Sequence, residues 1–235
     1  MTGHVVACGA GRAMMDRHDD PYHEYVLRLT GKRRPRVLFL PTASGDDAGY
    51  VESFYRTYGT DRCEPHHLAL FARTVSVADL PEYLMSFDVI TVGGGNTANM
   101  YDVWHLHGVD ALLREAWRNG KVLTGGSAGG ICWFYGGTTD SFGLPYQALP
   151  RGLRLIDEWF CPHYDAEDGR RPVFHRALLD GVLPTGYGVD NLVGLHFDGR
   201  VLVRAISSDP KAKAVRVTVR DGEVVEKPIR VRLLS

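Results

Sequence analysis

The chain has 235 residues, 44% hydrophobic and 23% charged, with a formal net charge of −1. That balance suits one α/β domain with a sizeable core, and it excludes the broad basic surface that a nucleic acid or an anionic membrane requires. No apolar run reaches the length of a membrane span. The cysteines Cys8, Cys63, Cys132 and Cys161 form no C-x-x-C pair, so buried free thiols in a reducing cytoplasm are expected.

Residues 1–8 lack the basic start and apolar core of a signal peptide, and 4–8 predict a first strand. Further strands are predicted over 36–40, 66–71, 88–92 and 121–124. Helices are predicted over 22–29, 50–58, 80–86, 97–106 and 109–118. This alternation implies βαβ units and a mostly parallel, twisted sheet with helices on both faces. The unbroken runs Val37-Leu38-Phe39-Leu40 and Val89-Ile90-Thr91-Val92 have the pattern of central strands. After about Asp190 the rhythm changes to closely spaced strands over 192–197, 201–206, 214–219 and 224–233. Phe197-Asp198-Gly199-Arg200 and Arg220-Asp221-Gly222-Glu223 serve as hairpin turns. The expectation is an antiparallel extension of the same sheet, within one domain over 1–235.

Three runs carry chemistry. Thr124-Gly125-Gly126-Ser127-Ala128-Gly129-Gly130-Ile131 follows a short apolar strand and fits the G-x-S-x-G nucleophile elbow. A serine on such a turn is held under strain, its neighbours must lack side chains, and the helix behind it points free N–H groups at developing negative charge. Gly-rich strand-to-helix turns also serve phosphate sites. Val92-Gly93-Gly94-Gly95-Asn96-Thr97 is a second such turn, suited to an oxyanion hole from Gly94, Gly95 and Ala128. It lacks the G-x-G-x-x-G spacing of a dinucleotide site, and Asn96 equally fits a helix N-cap. The third run, Cys161-Pro162-His163-Tyr164-Asp165, puts a histidine on a loop at a strand end, where a general base would sit. A carboxylate is expected to fix its tautomer. Asp140 lies between serine and histidine in sequence, and Asp157, Glu158, Asp165 and Asp190 are rivals that spacing alone does not separate. No H-x-x-x-H with an acid and no Cys/His quartet is present, so neither metal nor cofactor is expected.

Taken in this order, the three runs resemble the S51 serine peptidases of the peptidase E (aspartyl dipeptidase) group, with cyanophycinase a more distant relative. Phe39-Leu40-Pro41-Thr42-Ala43-Ser44 is similar to that family's second strand and loop. The resemblance implies a fold similar to class I glutamine amidotransferases, with Ser127 as nucleophile, His163 as base and Asp140 as acid. Tyr135 stands where many relatives carry glutamate, and Glu158 is the alternative acid. It further implies cleavage of dipeptides with N-terminal aspartate, with Asn96 at the substrate and Arg170 or Arg171 holding the side-chain carboxylate. Two rival readings stand beside it: hydrolysis of a β-aspartyl or isopeptide bond, and a non-catalytic sensor of peptides or amino acids. The only partner expected is a small peptide substrate, for a monomer or homodimer. A serine at the elbow disfavours a glutamine amidotransferase, whose nucleophile there is cysteine.

Overall fold

The computed structural model describes residues 3–73, 75, 76, 78–181 and 183–235. In chain order the elements are β1 (His4–Cys8), α1 (Arg12–Met15), α2 (Pro21–Arg28), β2 (Arg36–Leu40), α3 (Ala48–Thr57), β3 (Glu64–His67), α4 (Leu80–Met85), β4 (Val89–Val92), α5 (Thr97–His107), α6 (Val109–Arg118) and β5 (Val122–Gly126). There follow α7 (Ala128–Ile131), β6 (Gly136–Thr139), β7 (Gln147–Leu149), β8 (Trp159–Cys161), α8 (Arg170–Asp180), β9 (Thr185–Val189), β10 (Val193–Asp198), β11 (Val201–Ser207), β12 (Ala214–Arg220), β13 (Glu223–Ile229) and β14 (Val231–Leu233). Local chemistry starts the helices. The side chains of Asp20, Asp47 and Asn96 each accept a first-turn backbone N–H, capping α2, α3 and α5.

Two sheets organise these elements. In the first, β3-β2-β4-β5-β1 run parallel, and the β1 edge continues through antiparallel β10 and β11 to β14. Alternation along the strands sends Val5, Ala7, Leu38, Leu40, Ile90 and Leu123 to one face, where they meet Leu84, Met100, Trp104, Leu113 and Ile131 of the helices α4 to α7. Val6, Cys8, Val37, Phe39, Val89 and Val122 point the other way, against Met14, Val26 and Phe54 of α1, α2 and α3. Burial on both faces is why these strands read as unbroken apolar runs.

The second sheet has the order β13-β12-β9-β8-β6-β7, with β6, β8 and β9 parallel. Helix α8 covers it by packing Phe174 and Leu178 on Trp159 and Val217. This corrects the expectation of a single extended sheet. Strands β10, β11 and β14 do extend the first sheet, but β12 and β13 join the second, and the strand expected over 224–233 is two strands in different sheets. An alternating pattern specifies a half-buried strand without specifying which edge it pairs with. The strand expected over 66–71 forms earlier, as β3. Among the described residues no helix is long and apolar enough to cross a membrane.

Candidate active site

Three glycine turns converge at the carboxyl ends of β1, β4 and β5. A Cβ on Gly11 would stand 2.8 Å from Gly94 Cα and 2.9 Å from Gly126 O, and one on Gly126 would stand 1.7 Å from Ala10 O. Only main chain fits in this space. Ser127 follows at φ +56° and ψ −119°, a conformation a side chain rarely adopts and one that marks a strained, over-determined position. Its N–H donates to Cys8 O at 3.2 Å, and α7 starts directly behind it. The Gly9-Ala10-Gly11 turn was not singled out from the sequence, although its two glycines after a strand repeat the signal of the other two turns.

His163 reaches Ser127 from the second sheet. Strand β8 ends at Cys161, Pro162 follows, and His163 takes φ +54°, which turns its ring toward the elbow. Its Nε2 lies 2.9 Å from Ser127 Oγ, and its Nδ1 lies 2.5 Å from Asn191 Oδ1. In the tautomer this arrangement requires, Nδ1–H donates to the Asn191 carbonyl and Nε2 accepts from the serine hydroxyl. Asn191 sits on the turn from β9 into β10. Its N–H donates to Asp165 Oδ1 at 3.0 Å, and its carbonyl accepts from Cys8 Sγ at 3.4 Å. Serine, histidine and asparagine thus form one hydrogen-bonded relay.

The expected third member is corrected. Asp140 is not on His163: its half-exposed carboxylate lies 3.7 Å from Arg170 Nη2, because the chain leaving β6 turns toward the start of α8. Glu158 pairs with Arg216 and accepts from the Tyr187 hydroxyl. Asp190 takes the Lys213 N–H at 2.7 Å, and Asp157 pairs with Arg154. Sequence reasoning sought a carboxylate and passed over the amide beside Asp190.

The expected oxyanion donors divide. Gly94 N–H already donates to the Tyr50 hydroxyl at 3.1 Å. Ala128 is the first residue of α7, so its N–H has no acceptor within the helix. Gly95 N–H makes no hydrogen bond among the described residues. Gly95 holds φ +137°, with Ala43 O where a Cβ would lie. Asn96 caps α5 through Oδ1 and ties Nδ2 to Ser141 O at 2.9 Å, so its side chain is spent on structure.

The two arginines lie in the first turn of α8 and not on a free loop; Pro172 is tolerated there because first-turn N–H groups need no helical acceptor. Arg170 is 3% exposed, holds Glu167 and Thr138 O, and stacks on Tyr146. Arg171 is exposed, grips both oxygens of Glu226 at 2.9 and 2.8 Å, and covers the Tyr164 ring. An open groove of about 490 Å³ runs behind the His163 loop along Tyr164, Asp165, Asp190 and Lys213, and Ser127 is not among its walls. Among the described residues no group of three or more His, Cys, Asp or Glu side chains is placed to hold a metal ion.

Residues 5–204 match the profile of Peptidase family S51. Over 231 residues the chain is 43% identical to YgaJ, an uncharacterized peptidase of Bacillus subtilis (strain 168), covering 98% of this chain and 99% of that protein. A peptidase from an acI-B1 actinobacterium superposes with a TM-score of 0.70 at 18% identity, over 97% of this chain and 98% of that one. A Listeria monocytogenes EGD-e protein, solved as a candidate peptidase E, superposes with a TM-score of 0.60 at 18% identity, over 98% and 100% of the two chains. At that identity the solved structures speak for the fold alone. It is the mixed α/β, glutamine amidotransferase-like arrangement.

Proposed function

The chain belongs to peptidase family S51, and from that premise we propose that it is a serine peptidase that hydrolyses small peptides through an acyl-enzyme. The observation that carries the reading is the 2.9 Å contact between His163 Nε2 and a Ser127 hydroxyl raised on a strained turn. His163 takes the serine proton as Oγ attacks the scissile carbonyl, while Asn191 keeps Nδ1–H in place. The Gly95 and Ala128 N–H groups receive the oxyanion, a donor of this kind being worth about 10²- to 10³-fold in turnover. His163 then hands the proton to the leaving amine and activates the water that frees the enzyme.

Dipeptides with N-terminal aspartate are the substrates we propose, on the strength of the family resemblance. Arg170 is the cation suited to the side-chain carboxylate. Its inner partner Glu167 is held at 2.5 Å, whereas Asp140 stands off at 3.7 Å and is half exposed, so an incoming carboxylate displaces Asp140. Arg171 is already gripped through two hydrogen bonds by Glu226.

A dipeptide panel varying the first residue, with Ser127→Ala as control, tests both parts. Ser127→Ala is expected to lose at least about a thousandfold in kcat while keeping its circular dichroism. Turnover near wild type in that variant removes the mechanism. Equal cleavage of Asp-Leu, Ala-Leu and Met-Leu removes the acidic preference and leaves the peptidase.

A further inference from the structure

The turn after His163 carries a line of charges that the mechanism above leaves unused. His163 Nδ1 lies 3.9 Å from Glu167 Oε1. The other carboxylate oxygen, Oε2, accepts from Arg170 Nε at 2.5 Å. Arg170 in turn donates to Thr138 O and stands 3.7 Å from Asp140. From the ring outward the groups alternate: imidazole, carboxylate, guanidinium, carboxylate. The backbone holds the order in place, since Glu167 N–H donates to His163 O at 3.0 Å and Arg170 N–H to Glu167 O at 2.9 Å. The Arg170 side chain is 3% exposed and Glu167 30%, against 55% for Asp140, so the inner members are shielded and the outermost is screened by solvent.

Formal charge shows what this line does. With the ring neutral, Glu167, Arg170 and Asp140 sum to −1; when the ring takes the serine proton, the group becomes neutral. Asn191 carries no charge, so it can orient the ring but cannot balance it. Among the described residues Glu167 is the only acidic side chain in ion-pair range of His163. The other charged groups nearby are engaged elsewhere. Asp165 takes the Asn191 N–H, Asp190 the Lys213 N–H, and Glu226 is held by Arg171, His175 and Tyr164. The Cys8 and Cys161 thiols, pushed up to about 12 by burial, stay neutral.

We propose that the role usually given to one carboxylate is divided here: Asn191 fixes the tautomer and orientation of His163, and Glu167, steadied by Arg170, balances the positive charge that the ring acquires. Glu167 is thus a positioning residue that acts through His163, and this inference rests on the peptidase reading.

The experiment reads the His163 ring by NMR in a Ser127→Ala background, where no turnover is needed, and the pH profile of kcat/KM with Ser127 intact. Glu167→Gln, which keeps an acceptor for Arg170, is expected to move the His163 titration to lower pH by roughly half a unit or more. The acid limb of the activity profile moves the same way. Adding Asn191→Asp returns charge to the ring and is expected to move both back up, as any carboxylate at Nδ1 would. Should Glu167→Gln unfold, Glu167→Asp, which keeps the charge on a shorter side chain and draws it away from the ring, poses the same question, with a smaller shift expected in the same direction. A folded variant whose His163 titrates as in the parent overturns the proposal. Turnover surviving Ser127→Ala would instead sink the Ser127 mechanism, and the titration would be unaffected by that outcome.

Discussion

Arg170 and Arg171 are adjacent in sequence, yet their surroundings differ enough to separate them by experiment. Arg170 is buried and its charge is matched by Glu167. Removing it strands that carboxylate, whose acidity reflects a contest: burial raises its pKa, while the hydrogen bond and charge of Arg170, then His163 and Tyr146, bring it net below the usual glutamate range. Arg170→Ala is expected to cost about 3 kcal/mol, the lower end of the range for breaking a buried pair, since Glu167 is partly exposed. Arg171→Ala removes an exposed pair with Glu226 and is expected to cost no more than about 1 kcal/mol. Urea unfolding of the two variants checks this, and equal losses would contradict the burial argument. The same contrast explains why the arginines were hard to read in advance: two identical letters on one helix turn point to different sides, and spacing does not say which side is inside.

At the scale of the element, the glycines make the sharper statement. Gly126→Ala puts a methyl group 1.7 Å from Ala10 O, inside the meeting point of three turns, whereas Gly45→Ala, at φ +70°, points into open space. The first is expected to cost more than about 3 kcal/mol or to prevent folding, and the second about 1 kcal/mol from backbone strain alone. Thermal unfolding of both measures the difference. The elbow was legible because three constraints coincide in one short run: an apolar strand, a serine and four flanking glycines. The parallel strands were legible because burial on both faces leaves unbroken apolar letters. Strands β6 and β9 were not, since Gly136-Gly137-Thr138-Thr139 and Thr185-Gly186-Tyr187-Gly188-Val189 carry too little apolar pattern. Gly188 is there because a side chain would strike the Tyr164 ring beside His163, a reason that lies in tertiary contact. Asn191 was missed on chemistry: an amide holds a tautomer as well as a carboxylate does, but it leaves the charge to be balanced elsewhere.

For the whole molecule, the pH dependence of stability has a defined sign. His23 is 1% exposed, donates from Nε2 to Met14 O and faces the Tyr58 hydroxyl with Nδ1. Burial pushes it down to about 4, and burial with the neighbouring His4 does the same to His196. In the unfolded chain both titrate near 6.5. Between those values the unfolded chain binds more protons, so stability is full above about pH 6.5 and falls as pH drops toward 4. His23 alone accounts for about 3 kcal/mol across that window. Urea midpoints from pH 7 to 4.5 should fall, and His23→Gln, which cannot ionise, should flatten the slope; a midpoint constant over that range would show that these rings are not buried neutral.

The seam between the sheets has a consequence for the chain's own synthesis. Ser127 hangs from the first sheet, His163 lies 36 residues later on the second, and Asn191 a further 28 residues on, where the chain returns to the first. No fragment that ends before Asn191 holds the whole relay. A growing chain carries Ser127 early, but the hydrogen-bonded relay closes only when both sheets have come together around Asn191. On the proposed mechanism, the order of residues acts as an interlock that withholds activity until the relay has closed.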